Sequence, residues 1–284
     1  MTTDAFSLGF LSGVREDYGF QDDELPNVDV PVEFQDNYFE DPDLDRYLEI
    51  FEQNDPAVAI LGDAYSEEET ELLDDAISEL KEEYPYKELI AVPKCGEAFD
   101  VHSDDVTLGY PLGFSDLEPE DYSDLSDWRG RRVHILGGAP DKQYRAIQNL
   151  TGPVLTGDPP ADITGVDWNG AHKIAYLGEY WSRDGWQPAD HLSIRETVRK
   201  SLEEIKAFWE EKDLWPDTEP VELYGEPTEE PDELIWMDDG GDPIGSHEDL
   251  EEAYIGRYED RGKMAFQSEV EKKFIEYREG LTRV

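Results

Sequence analysis

The sequence predicts an α/β fold, a (β/α)8 TIM-like barrel, followed by an acidic C-terminal helical extension. Three observations predict it. Short β-rich runs recur eight times before the composition shifts at Trp215. Several are separated by stretches whose apolar residues repeat at helical spacing, and such alternation argues for a parallel sheet. No G-x-G-x-x-G follows the first run. Gly9 and Gly13 therefore mark a strand bend, not the phosphate loop of a doubly wound sheet.

In chain order, β-rich runs at 6–14 and 28–36 open the barrel. A helical pattern at 43–51 places Leu44, Tyr47, Leu48 and Phe51 on one face. After the run 57–63, Ser66 and Glu69 form a capping-box pattern that opens a helix with Leu73, Ile77 and Leu80 aligned. Runs at 88–95, 106–111 and 131–138 follow. A helix at 140–150 then aligns Tyr144, Ile147 and Leu150. Runs at 153–158 and 163–167 complete eight strands, some helices being short or replaced by loops. Ser193 and Glu196 cap a last helix whose stripe is Ile194, Val198, Leu202, Ile205 and Trp209. The barrel occupies 1–215. Residues 216–284 read as an acidic arm: a linker rich in Pro, Glu, Asp and Gly to about 247, then a helix with Leu250, Tyr254, Phe266, Val270, Phe274 and Tyr277, interrupted at Gly256 and Gly262.

The chain carries 71 acidic against 24 basic side chains, a net charge of −47. Global disorder is excluded by 38% hydrophobic and 12% aromatic residues, enough for a core. Mimicry of nucleic acid needs one carboxylate face, whereas the acid here is spread over almost every segment. Life in molar salt, where the screening length falls to ~3 Å, accounts for that spread and makes the chain halophilic. Residues 128–206 depart from it, with 11 Lys/Arg against 10 Asp/Glu. That island is either where a polyanion approaches or simply the most buried segment. The N-terminus lacks a signal-peptide pattern and no run is long enough to cross a membrane, so a cytoplasmic, high-salt location is expected.

One cysteine, Cys95, excludes an internal disulfide and any multi-cysteine metal site. His134, His172 and His191 form no metal-ligand spacing, so no metal or cofactor is expected. His134 reads as packed or lining a pocket. What remains is carboxylate chemistry. Asp36, Asp63, Asp158 and Asp167 each end an expected strand, where a barrel does its chemistry. Asp is also a turn and cap residue, so each has a purely structural alternative. Two carboxylates at a sugar divide the labour, one attacking or stabilising the anomeric carbon and the other moving a proton. Gly109, Gly137 and Gly138 leave room for a flat ligand against backbone. Phe34, Tyr110 and Trp168 are aromatic groups that either stack on such a ligand or fill the core.

The ordered motifs are Phe34-Gln35-Asp36-Asn37, Ile60-Leu61-Gly62-Asp63, Ala91-Val92-Pro93-Lys94-Cys95, Leu108-Gly109-Tyr110-Pro111, Val133-His134-Ile135-Leu136-Gly137-Gly138, and Val166-Asp167-Trp168-Asn169 with Lys173, Gly178 and Trp181 beyond. Over residues 6–212 this succession resembles the tRNA-guanine transglycosylase superfamily. It is most similar to the small, zinc-free, DpdA-like 7-deazaguanine DNA transglycosylases of phages, haloarchaea and archaeal viruses. The resemblance implies exchange of guanine in DNA for a 7-deazaguanine base through a covalent glycosyl-aspartate, with tRNA as the alternative substrate. It implies Asp167 as nucleophile, with Asp158 as the alternative, and Asp36 as the proton-transfer group. Asp63, Lys94, Tyr110, Gly137, Gly138 and Asn169 would bind the base. Arg129, Arg131, Arg132, Lys142, Arg145 and Lys173 are the expected nucleic-acid contacts. The single cysteine cannot build the zinc site of the tRNA enzymes, which turns the resemblance toward DNA. A silent barrel acting as a binding module is the reading of a different class.

Overall fold

Seven parallel strands lie side by side in the order of the chain: β1 (Gly13–Arg15), β2 (Phe34–Asp36), β3 (Val58–Ala64), β4 (Glu88–Pro93), β5 (Thr107–Pro111), β6 (Arg132–Leu136) and β7 (Asp162–Val166). The structure, a computed structural model, describes residues 5, 8–11, 13–15, 33–37, 42–104, 106–112, 117–175, 177–189, 191–216, 236–237 and 243–244. The strands are joined by α1 (Leu44–Asn54), α2 (Glu67–Glu83), α3 (Ala98–Val101), α4 (Leu125–Trp128) and α5 (Pro140–Thr151). Beyond β7 come α6 (Gly170–Ala175) and α7 (Ile194–Glu211). A strand order that never reverses is compatible with a TIM-like winding, whereas a doubly wound sheet reverses at its switch point; among the described residues the seven strands do not form a closed eight-stranded barrel.

The helices begin where local chemistry starts them. The Asp43 carboxylate accepts from the Arg46 backbone N–H at 3.0 Å, the Ser66 hydroxyl from Glu69 at 3.3 Å, and the Ser193 hydroxyl from Glu196 at 3.3 Å. Their apolar faces cover the outer side of the sheet. Tyr47 and Phe51 of α1, Leu73 and Ile77 of α2, and Ile147 and Leu150 of α5 form one core with Ala59, Leu61, Leu89, Leu108, Val133 and Ile135. The inner side has its own apolar layer of Ile60, Ile90 and Val92, with Phe34, Val58 and Leu136 packed against it. Strands buried on both faces read as continuous apolar runs, which is why β3 to β6 were legible.

The sheet curls strongly. The rings of Phe34 on β2 and His134 on β6 lie 5.6 Å apart although three strands separate them. In a flat sheet those strands would be roughly 19 Å apart at the usual ~4.8 Å spacing. Gly109 sits inside the curl, where a Cβ would come within 2.6 Å of Leu136 and 2.9 Å of Val92.

Four expectations change. The first strand is Gly13–Arg15, where 6–14 was expected, with Leu8 and Gly9 in a turn. The expected strand at 153–158 is a loop, because Pro153, Pro159 and Pro160 cannot donate to a ladder and Gly157 takes a φ of 82°. Beyond α6, where no strand was expected, an antiparallel hairpin forms from β8 (Glu179–Ser182) and β9 (Gly185–Pro188). Within the stretch expected as a linker, β10 (Trp236–Met237) pairs antiparallel with β11 (Pro243–Ile244). The helix expected beyond Ser246 lies outside the described residues. Among the described residues no helix is long and apolar enough to cross a membrane.

Candidate active site

Two irregularities in the sheet aim two aspartates. Along β3, Ile60 faces inward and Leu61 outward, so strict alternation would send Asp63 outward. The ladder pairs Ile60 with Ile90 but Gly62 with Ala91, leaving Leu61 as an extra residue. Gly62 then faces the helices, 3.4 Å from Leu73 at the position of a Cβ, and Asp63 pairs with Val92 on the inner face. The same device operates in β7. Val133 pairs with Ile163 but His134 with Gly165, so Thr164 is extra. Gly165 faces His134, and Asp167, two residues on, shares that face. On β2, Phe34 belongs to the inner layer and Gln35 is buried outward against α1, donating to the Tyr47 carbonyl at 3.5 Å. Asp36 therefore returns to the inner face. Asp36, Asp63 and Asp167 stand at the carboxyl ends of β2, β3 and β7, on one side of the sheet.

Asp167 is the most elaborately held. Its Oδ1 accepts the Gly137 backbone N–H at 3.2 Å. The buried Gln143 amide donates to the Gly137 carbonyl at 2.9 Å and to the Asp167 carbonyl at 2.7 Å, tying together the chain after β6 and after β7. Gly137 and Gly138 turn there with φ of 67° and 76°, angles that favour glycine. Asp167 remains 34% exposed at its side chain, so it is reachable while protein surrounds most of it. Burial raises its carboxyl above the ordinary value, and the His134 charge and the Gly137 N–H offset only part of that.

Asp63 sits beside Lys94, with 3.5 Å between Nζ and Oδ2 and both side chains largely buried. The Tyr65 hydroxyl also donates to Asp63, at 3.4 Å. Tyr122, in the loop after β5, has a buried hydroxyl with no partner among the described residues. Burial, then the Asp63 carboxylate, drive its phenol far above the ordinary range, so it stays a neutral donor.

Several expected site residues lie elsewhere. Tyr110 faces outward, its ring 4.8 Å from Trp128, and burial pushes its phenol up to about 12; it is core and does not reach the inner face. Gly138 is buried, with a Cβ position 2.9 Å from Leu112, and serves the turn. Gly137 stays at the site, but its N–H is directed at Asp167. Asp158 lies in the loop that enters β7 from its amino end, its carboxylate accepting from Thr156 at 2.6 Å; it is at the wrong end of the sheet to replace Asp167. Arg129 is buried and donates to the carbonyls of Asn149, Leu150 and Asp158. Arg131 donates to those of Phe99, His102 and Ser103. Both flank the amino end of β6, as does exposed Arg132, opposite the strand ends that carry the aspartates. Lys142 is exposed in the first turns of α5, near those ends, and Arg145 pairs with Asp141 at 3.0 Å on the same helix. Asn169 is exposed between Asp167 and α6. Lys173 belongs to α6, its side chain outside the described residues. Trp168 turns away from the site, 5.9 Å from Trp186, and a Cβ on Gly170 would strike its indole.

Sequence reasoning missed Glu88 and Gln143 and undervalued His134. His134 is 5% exposed, and its ring lies between Glu88 and Asp167. Polar residues inside otherwise apolar strands were the available signal. Cys95 lies 3.9 Å from the Thr70 hydroxyl. Among the described residues no cluster of three or more His, Cys, Asp or Glu could hold a metal ion.

A protein-family model described as a family of unknown function, DUF6610, matches residues 5–210. No curated protein and no solved structure matches.

Proposed function

The chain belongs to the DUF6610 family of unknown function, and we propose that it is a base-exchange transglycosylase built on the larger part of a (β/α)8 barrel. The observation that carries this reading is the set of three aspartates on one inner face at strand carboxyl ends, two of them aimed by bulges. Asp167 attacks the sugar C1′ as the glycosidic C–N bond breaks, and Asp36 supplies the proton with which guanine leaves. A 7-deazaguanine base then gives its ring N–H proton to Asp36 and attacks C1′, releasing Asp167. Two displacements retain configuration. Asp63, fixed by Lys94 and Tyr65, accepts from the edge of the base.

DNA is the proposed substrate, with Lys142 and Arg145 as exposed basic residues near the strand ends that carry the aspartates. A second reading, exchange on a free nucleoside, is favoured by the engagement of Arg129 and Arg131 with backbone carbonyls. The test is nucleoside mass spectrometry after incubation in high salt with isotope-labelled 7-deazaguanine and, separately, duplex DNA, tRNA or deoxyguanosine. Label is expected in DNA, falling by about 10³-fold or more in Asp167→Asn and Asp36→Asn. Label in deoxyguanosine alone selects the second reading. Equal incorporation by wild type and Asp167→Asn overturns both.

A further inference from the structure

We propose that Glu88, His134 and Asp167 form one linked column along the inner face, in which Glu88 braces the His134 imidazole and that ring faces and steadies the Asp167 carboxyl. This rests on the nucleophilic role given above to Asp167, and it makes Glu88 and His134 positioning residues of the same reaction.

The geometry is a histidine between two acids. Nδ1 faces Glu88 Oε1 at 3.8 Å, and Nε2 faces Asp167 Oδ1 at 3.8 Å. These are ion-pair distances and are too long for direct hydrogen bonds. Both ring nitrogens and Oε1 of Glu88 are shut from solvent with no hydrogen-bond partner among the described residues. A neutral imidazole has one N–H and one lone pair, so one acid would face a lone pair. Only the doubly protonated ring presents a donor and a positive charge to each.

The surroundings make room for this ring. On one side Gly165 leaves space, since a Cβ there would lie 2.8 Å from Cε1 and 2.9 Å from Nδ1. On the other side Phe34 lies 5.6 Å away at an interplanar angle of 31°. The charged and titratable groups that act on the column are few. From β4 comes Glu88, and from the end of β7 comes Asp167. Arg132 on β6 acts on Glu88, as does the Thr164 hydroxyl of β7, and the Gly137 N–H acts on Asp167. Burial acts to raise the Glu88 carboxyl, yet His134, Thr164 and Arg132 together leave it below the ordinary value, so it is ionised at neutral pH. The column thus sets one imidazole between two acids, with Asp167 at its open end.

Two readouts separate this inference from the reading it rests on. In the full-length protein with ¹⁵N-labelled histidine, in high salt, the His134 ring is identified by the signal lost in His134→Gln and is followed at one fixed pH in wild type, Glu88→Gln and Asp167→Asn. Its ring-nitrogen signals are expected to move in each variant, whether or not any base exchange is detected. Unmoved ring signals in Asp167→Asn, a partly exposed position, overturn the column even where Glu88→Gln does not fold. Where exchange activity is present, the acid limb of its pH profile is expected to move to higher pH in His134→Gln, because His134 acts to lower the Asp167 carboxyl. A lower rate with an unmoved limb also overturns it. Absence of exchange in wild type, with the changes in ring signals intact, overturns only the assignment of function.

Discussion

At the scale of single residues, the site is a place where stability is given up. Burial lifts the Asp167 carboxyl above its unfolded value of about 3.8. A raised carboxyl binds its proton more tightly when folded. Its favourable contribution is therefore complete below the unfolded value and is lost as pH rises through the folded one. At neutral pH the raised Asp167 carboxyl weakens the fold. Asp167→Asn keeps an oxygen for the Gly137 N–H and removes the charge, so it should raise the melting temperature at pH 7. The gain should shrink as pH is lowered toward 4, as thermal melts across that range would read. A gain that is constant with pH would locate the effect in packing. These residues were only partly legible beforehand. Asp36, Asp63 and Asp167 stood out as carboxylates after apolar runs, but side-chain parity alone would have turned Asp63 outward. The extra residue at Leu61 is a property of the β3–β4 pairing and has no local mark.

At the scale of elements, two arginines expected to meet nucleic acid close helices. Arg129 donates to Asn149 and Leu150 in the last turn of α5, and Arg131 to Phe99, His102 and Ser103 around the end of α3. Carbonyls there have no partner within the helix, and the guanidinium supplies several donors at once. Arg129→Ala should therefore cost about 3 kcal/mol in urea unfolding, because it leaves buried carbonyls unpaired. It should leave nucleic-acid affinity unchanged, which a binding titration at fixed salt would check. Helix starts were legible at Asp43, Ser66 and Ser193 because a cap is a contact three residues long. The β8–β9 hairpin was overlooked although Asp184-Gly185 is a strong turn signal, with Gly185 at a φ of 96°. The false strand at 153–158 shows the converse: apolar residues set among prolines have no ladder to join.

At the scale of the molecule, charge is written on the helices. α2 buries Leu73 and Ile77 but exposes Glu67, Glu68, Glu69, Glu71, Asp75, Glu79, Glu82 and Glu83 on its other faces. Their mutual repulsion is long-ranged in dilute buffer, where the screening length is ~10 Å at 0.1 M salt, and short-ranged at 1 M, where it is ~3 Å. With a net charge of −47, the melting temperature should climb steadily between those concentrations. A flat response in calorimetry would remove the high-salt reading of the composition. Part of the near-neutral island at 128–206 is the buried segment first weighed for it. Arg129 and Arg131 are there because their surroundings are buried, while Lys142 and Arg145 remain on the surface near the strand ends.

The Gln143 amide joins the β6 and β7 termini through one side chain, 2.9 Å from one carbonyl and 2.7 Å from the other. Local opening of either terminus then requires release of both. The Gly137 and Asp167 amides should accordingly exchange their hydrogens with deuterium at a common rate, as one small unfolding unit, so that the Asp167 carboxyl and the backbone donor that orients it are lost and recovered together.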